Sequence, residues 1–285
     1  MKSLILGTAN FGGPYGISNQ NKIATESIEQ ILSVAQENGI NHFDTAKSYG
    51  DAEIILGKYL NKSKPLYIDS KISLSECESV KSIVNAVSES LSVLGISKLN
   101  SLYLHNAELL SGNNSLTIKQ GMEKVLDLGL ADNLGVSVYT LEQLREVKAK
   151  FSLLSNFQVL ENICDRRLIH SKELMDFTNN GNVVNIRSVF LQGLLLMNSK
   201  NLPAKVRKAT KSIENLNKYA SESSASVLDI CIAYAKKVSW AGSYIVGVES
   251  TLQLREILVS RFELKENWET HISTLPEELK DPRYW

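Results

Sequence analysis

Apolar residues along the chain fall alternately into two rhythms. Short unbroken runs, such as Leu4-Ile5-Leu6 and Leu102-Tyr103-Leu104, have the pattern of buried strands. Longer stretches carry apolar residues at helical spacing, as at Ile28, Ile31, Leu32 and Ala35, and Gly39 ends that stretch as a C-terminal cap would. The unit repeats to the end of the chain. Strands are expected over 4–7, up to Asp44, and over 66–71, 101–105, 133–137, 153–159, 183–189 and 243–246. Helices are expected over 25–38, 52–60, 80–94, 118–128, 141–150, 172–178, 204–238 and 252–262, with Gly95 and Gly129 closing the third and fourth.

Alternation of this kind predicts a parallel sheet, and eight repeats predict an α/β fold, a single (β/α)8 TIM barrel formed by residues 1–285 as one domain. An open doubly wound sheet would carry GxGxxG after its first strand. The chain has Gly7-Thr8-Ala9-Asn10-Phe11-Gly12-Gly13 there, which does not fit. No linker or shift in composition marks a second domain. The turn-rich loops 10–22 and 111–115 are expected on the C-terminal rim, and the segment 12–17 is long enough to cover a substrate.

Side chains at the C-terminal ends of barrel strands converge on one rim. Asp44, Tyr49, Lys71 and His105 stand at the ends of strands two, three and four. A free phenol has a pKa of about 10 and gives up its proton poorly near neutrality. A neighbouring ammonium lowers that value. Lys71 is expected to supply the ammonium and Asp44 to hold it charged, while His105 orients a carbonyl whose oxygen Tyr49 protonates. Taken singly, each residue has a plain explanation as an N-cap, packing ring, solvated charge or core histidine. Their shared place on one rim favours the chemical reading.

Composition narrows the partners. With 31 basic and 31 acidic residues the formal net charge is zero. That argues against nucleic acid and anionic membranes as partners, since both call for a basic surplus. No segment approaches the roughly 20 apolar residues of a membrane span, and the apolar run at the N-terminus is too short for a signal peptide. Cys77, Cys164 and Cys231 are widely spaced and imply neither a disulfide framework nor a metal site. Thiols in a reducing cytoplasm are the expectation. The basic run Lys205, Arg207, Lys208 and Lys211 reads as a solvated helix face.

The block Phe43-Asp44-Thr45-Ala46-x-x-Tyr49-Gly50-x-x-Glu53-x-x-Leu56-Gly57 resembles the FDTAxxYGxxExxLG signature of the aldo-keto reductase superfamily. Supporting blocks are Leu6-Gly7-Thr8 with Phe11-Gly12, Ser70-Lys71, Leu102-Tyr103-Leu104-His105, Gly135-Val136-Ser137, and Gln158 with Asn162 and Asp165-Arg166. The resemblance implies a barrel that binds NAD(P)H across its C-terminal rim and reduces a small-molecule aldehyde or ketone without a metal. It makes Tyr49 the general acid, Lys71 and Asp44 its tuning pair, and His105 the orienting group. It places Gly7, Thr8 and Asp44 along the nicotinamide pocket and Ser137 and Gln158 on the carboxamide. Arg187 stands where many members stack an aromatic ring on the nicotinamide. Ser188, Phe190, Gln192 and Gly193 fall in the pyrophosphate loop, and Gly247, Ser250, Gln253 and Glu256 in the adenosine segment.

Three departures matter. Val138 replaces an Asn that often helps to bind the carboxamide. Arg187 adds a positive charge that favours a phosphate, a carboxylate or an acidic sugar, or else pairs with a rim carboxylate. Gly247 and Gln253 occupy positions where a Lys and an Arg meet the 2′-phosphate in NADPH-committed members, which leaves Ser250 and Arg255 as substitutes, while Glu249 would repel it if it pointed inward. NADPH is therefore expected ahead of NADH only by family habit, with weak discrimination. The opening and the stretch 187–193 look like members from bacterial surface-sugar and nucleotide-sugar pathways, so a keto-sugar or sugar aldehyde is the expected substrate. The alternatives are a nicotinamide-nucleotide-binding regulatory subunit with little turnover and a cofactor-free barrel isomerase or lyase. Tyr15 is expected either on the substrate or packed within its loop, and the C-terminal residues 281–285 over the barrel mouth, against its side or at an interface.

Overall fold

Eight parallel strands hydrogen-bond in chain order and close on themselves in a computed structural model that describes residues 2–17 and 21–285. They are β1 (Ser3–Gly7), β2 (His42–Asp44), β3 (Tyr67–Ile72), β4 (Leu99–Leu104), β5 (Ala131–Val138), β6 (Asn156–Leu160), β7 (Val183–Arg187) and β8 (Ser243–Gly247). The connecting helices are α1 (Thr25–Glu37), α2 (Ala52–Tyr59), α3 (Val80–Leu94), α4 (Ser115–Asp127), α5 (Leu141–Lys150) and α6 (Lys172–Asn179). Then come α7 (Thr210–Glu222), α8 (Val227–Lys237), α9 (Thr251–Val259) and a short α10 (Trp268–His271). The expected (β/α)8 TIM barrel is the observed architecture. Part of the loop 10–22 falls on residues 18–20, outside the described residues.

Local chemistry fixes the elements. The Ser79 hydroxyl caps α3 by accepting from the Ser82 N–H at 3.0 Å, and Gly95 ends the helix in the left-handed conformation at φ 66°. Between those ends Ile83, Val87, Leu91 and Leu94 face inward at helical spacing. All five residues of β6 are buried, as expected for a strand of a parallel sheet. Polar residues fill part of the barrel interior. There the buried carboxylate of Asp69 is met by His42 Nε2 at 2.8 Å and accepts from Asn100 Nδ2 at 2.7 Å.

Among the boundaries that differ, three have a clear local cause. The long helix over 204–238 is a 3-10 turn (Ala204–Ala209) followed by α7 and α8. Ser224, at φ 52°, breaks it, and Ser226 restarts it through a reciprocal capping box with Asp229. β6 begins at Asn156 because a turn, with Leu154 N–H donating to Phe151 O, occupies the preceding residues. β7 stops at Arg187 because Ser188 turns left-handed at φ 63°. That early stop leaves 188–193 as a loop over the barrel mouth.

Register then sets the rim. Gly247 lies beside Gly7, and Gly7 beside Asp44. Ser137 lies beside Gln158. Lys71 lies two residues beyond Asp69, the partner of Asp44, and so one step nearer the C-terminal mouth.

Candidate active site

At that mouth Lys71 Nζ donates to Asp44 Oδ2 at 2.6 Å and to the Thr45 carbonyl at 2.9 Å. Both charged side chains are almost fully buried. Gln158 Nε2 donates to the other oxygen of Asp44, and Ser137 Oγ donates to Gln158 Oε1 at 3.3 Å. The result is a chain of polar contacts, Ser137–Gln158–Asp44–Lys71, whose far end lies 5.2 Å from the centre of the Tyr49 ring. His105 meets Tyr49 edge-on, with ring centres 5.8 Å apart. Its Nδ1 is 3.2 Å from Ser48 Oγ.

The turn that carries Tyr49 depends on two glycines. A Cβ on Gly12 would come within 1.6 Å of the Tyr49 carbonyl oxygen. Gly50, at φ 54°, would drive its own Cβ to 2.6 Å from Gly12 O. The loop after β1 and the loop after β2 therefore touch backbone to backbone, behind the phenol.

Electrostatics departs from the sequence reading at Tyr49. Burial, and then the Asp44 carboxylate, push its phenol above the ordinary tyrosine value, while Arg187 pulls it back. The expectation that Lys71 lowers it is corrected. Burial is the larger cause, and the Asp44 carboxylate, paired with Lys71 at 2.6 Å, adds to it. His105 behaves differently: burial, Lys71 and Arg187 hold its imidazole down at about 4, so it is neutral at pH 7.

A cavity of about 460 Å³ opens above these groups. Asp44, Tyr49, Lys71 and His105 all line it, together with Gly7, Thr8, Ser137, Gln158 and Arg187. Ser188, Phe190, Gln192, Gly193, Gly247 and Gln253 line it as well. Ser250 and Glu256 do not line it. Ser250 is taken up as the N-cap of α9, accepting from the Gln253 N–H at 3.2 Å, and Glu256 lies on that helix's exposed face. Tyr15 lines the cavity, and so does Pro282 of the C-terminal segment, which crosses the mouth. Tyr139 and Asn10 were missed from sequence. Tyr139 directly follows β5 and could have been found by its strand-end position. Asn10 fastens the loop after β1 to β8 by donating from Nδ2 to Val248 O at 2.7 Å, a contact with no sequence pattern of its own.

A family model, described as the aldo/keto reductase family, matches residues 3–272. The chain belongs to the aldo/keto reductase family. It is accordingly an NAD(P)H-dependent oxidoreductase that acts on carbonyl and alcohol groups. Among solved structures it is similar to the thermostable aldo-keto reductase Tm1743, crystallised with the inhibitor epalrestat. Identity is 22%, the TM-score 0.72, and the match covers 95% of this chain and 93% of that one. It is also similar to the glycerol dehydrogenase AKR11B4 of Gluconobacter oxydans, at 20% identity and TM-score 0.70 over 94% and 88%. A third, a Pseudomonas aeruginosa protein described as an aldo-keto reductase, matches at 17% and 0.65 over 90% and 88%. At these identities the neighbours show the shared fold. No helix among the described residues of this aldo/keto reductase is long and apolar enough to cross a membrane.

Proposed function

We propose that the enzyme reduces an aldehyde or ketone to the alcohol, with Tyr49 as general acid and NADPH taken in preference to NADH. The observation that carries this reading is the buried Asp44–Lys71 pair set against Tyr49 and His105 at the floor of one cavity. When bound, the cofactor supplies a hydride to the carbonyl carbon. His105, neutral at working pH, donates a hydrogen bond to the carbonyl oxygen and so fixes its position. Tyr49 then gives its phenolic proton to that oxygen. Its raised pKa suits the step: the phenol stays protonated through neutrality, yet an alkoxide oxygen is far more basic than a phenolate. Lys71 is held charged by Asp44 and faces the negative charge that appears on the ring oxygen.

Several features fit a dinucleotide along the rest of the cavity. Ser188, Leu191, Gln192 and Gly193 are all left-handed, with φ between 47° and 87°. The N–H groups of Leu191 and Gly193 are spent on the Ser188 and Phe190 carbonyls, so those of Val189, Phe190 and Gln192 are the ones to meet a diphosphate. The Oδ1 of Asn10 is buried without a partner beside Gly247, an acceptor available to a bound group. Gly7, Thr8, Ser137 and Gln158 would hold the nicotinamide end and Gly247 with Gln253 the adenosine end. A polar substrate, a keto-sugar or sugar aldehyde, is the class that agrees with the hydrogen-bonding floor. We assign the whole of 1–285 to one working barrel acting on a small molecule in the cytoplasm.

Fluorescence titration with NADPH and NADH, followed by sugar-derived and aromatic carbonyls assayed side by side, tests the proposal. Binding of a nicotinamide nucleotide with turnover that Tyr49→Phe abolishes is expected. Absence of binding overturns the reaction, and activity confined to hydrophobic aromatic carbonyls overturns the sugar class.

A further inference from the structure

We infer that the substrate carries a carboxylate as well as its carbonyl group, and that the Arg187 guanidinium receives that carboxylate; the inference rests on the carbonyl reduction proposed above. Four side chains lining the cavity carry full charge: Asp44, Lys71, Arg187 and Glu249. Asp44 and Lys71 cancel each other. Glu249 stands on the adenosine side, beyond Gly247. Among the described residues Arg187 has no carboxylate within 4 Å. Its Nη1 and Nη2 make bonds of only 3.3 Å, to Ser188 Oγ and to the Val138 carbonyl, and its Nε is buried with no acceptor.

A second guanidinium beside it shows what a satisfied arginine looks like here. Arg283 and Arg187 both lie over the ring of Tyr139, at 3.6 and 4.2 Å from its centre. Arg283 is neutralised twice over, by Asp281 and by Glu108. The fold therefore supplies carboxylates to one of two neighbouring arginines and leaves the other facing the cavity without one.

The ring of Tyr139 and the two weak bonds hold the Arg187 plane, and each terminal nitrogen keeps one N–H beyond those bonds. Two parallel N–H groups on a fixed plane match the two oxygens of a carboxylate. Arg187, His105 and Tyr49 line the same cavity, so one small molecule can set a carboxylate on Arg187 and its carbonyl on the floor. An oxo acid or a uronate has this form. A neutral sugar aldehyde offers the guanidinium no carboxylate.

The test follows NADPH oxidation by the wild type, Arg187→Met and Arg187→Lys on matched pairs. Succinic semialdehyde is set against butanal, glucuronate against glucose, and glyceraldehyde 3-phosphate against glyceraldehyde. The readout is the ratio of kcat/KM for the acid to that for its uncharged partner, in which losses of cofactor binding common to both cancel. A hydrogen-bonded charge pair of this kind is worth about ten- to a hundredfold. The wild-type ratio is expected above about tenfold. Arg187→Met is expected to lower it by about that factor, through KM, and Arg187→Lys to retain part of it. A wild-type ratio at or below one, a ratio that Arg187→Met leaves unmoved, or a stronger preference for the phosphate overturns the inference. NADPH affinity measured on the same samples separates the two levels. A wild type that binds NADPH and reduces only neutral partners overturns the carboxylate alone, whereas one that binds no nucleotide and reduces nothing overturns the reaction itself.

Discussion

The two ends of the cavity are built on different principles. At the chemical end, charged and polar groups are buried and chained to one another: Ser137 to Gln158, Gln158 to Asp44, Asp44 to Lys71, and Lys71 to the Thr45 carbonyl. At the adenosine end the contacts are local to one helix terminus. Ser250 caps α9, and Gln253 folds back to accept from the Glu249 N–H at 2.8 Å. Arg255, the cation of this segment, is exposed on α9 and does not line the cavity, whereas Glu249 does. One end fixes charges for a reaction. The other, among the described residues that line it, carries Glu249 and no Lys or Arg.

Removing the acid gives the largest effect. Tyr49→Phe is expected to lower kcat for carbonyl reduction by about 10²–10⁴-fold while leaving NADPH affinity within about twofold. Stopped-flow reduction and fluorescence titration measure the two separately. A variant that keeps more than a tenth of the wild-type rate would move the proton source elsewhere.

Lys71→Met comes next and tests whether the chemical end is one unit. It leaves the Asp44 carboxylate buried without its cation, which costs about 3–5 kcal/mol of stability. Adding Asp44→Asn should recover most of that loss in urea unfolding, because no buried charge then remains. The rate should stay low in both variants. Equal stability of the single and double variants would show that Asp44 and Lys71 are not coupled, and the contrast between the two ends would collapse.

The same contrast explains what was legible in the sequence. Asp44, Tyr49, Lys71 and His105 could be placed because strand periodicity locates strand ends, and a barrel brings those ends together. The barrel itself followed from eight repeats of one unit. Ser250 could not be settled because Ser at that spacing serves equally as ligand and as helix cap, and only the fold shows the cap in use. The break at Ser224 lay hidden within a continuous helical period, where the Ser226–Asp229 capping box was the overlooked mark. The sign of the Tyr49 shift could not be read at all. It is set first by the burial of the ring and then by the Asp44 carboxylate, both matters of packing.

At the adenosine end a cation can be added where the fold has room. A Cβ on Gly247 would meet Gly7 O at 3.5 Å and Asn10 Oδ1 at 3.6 Å, ordinary contacts. Wild-type preference for NADPH over NADH is expected to stay below several hundredfold in affinity. Gly247→Lys is expected to raise the preference by about threefold to fivefold, the worth of one solvent-exposed ion pair. Titration with both nucleotides checks the change. A wild type already committed to NADPH would mean that the 2′-phosphate is read by groups other than this segment.

The smallest effect concerns pH and bears on the chemical end alone. His105 titrates near 6.5 in the unfolded chain and near 4 in the fold. Between those values the unfolded chain binds more protons, so this contribution to stability is complete above pH 6.5 and is lost as pH falls towards 4. His105→Gln should therefore lose less of its Tm than the wild type between pH 7 and pH 5, by a few degrees at most because the ring keeps a solvated edge. The kinetic consequence is sharper. A neutral imidazole donates throughout this range, so kcat/KM for reduction should show no inflection between pH 5.5 and 7. A limb centred near 6.5 would mean that the imidazolium is the donor. In that case burial, Lys71 and Arg187 together would not be holding the imidazole neutral.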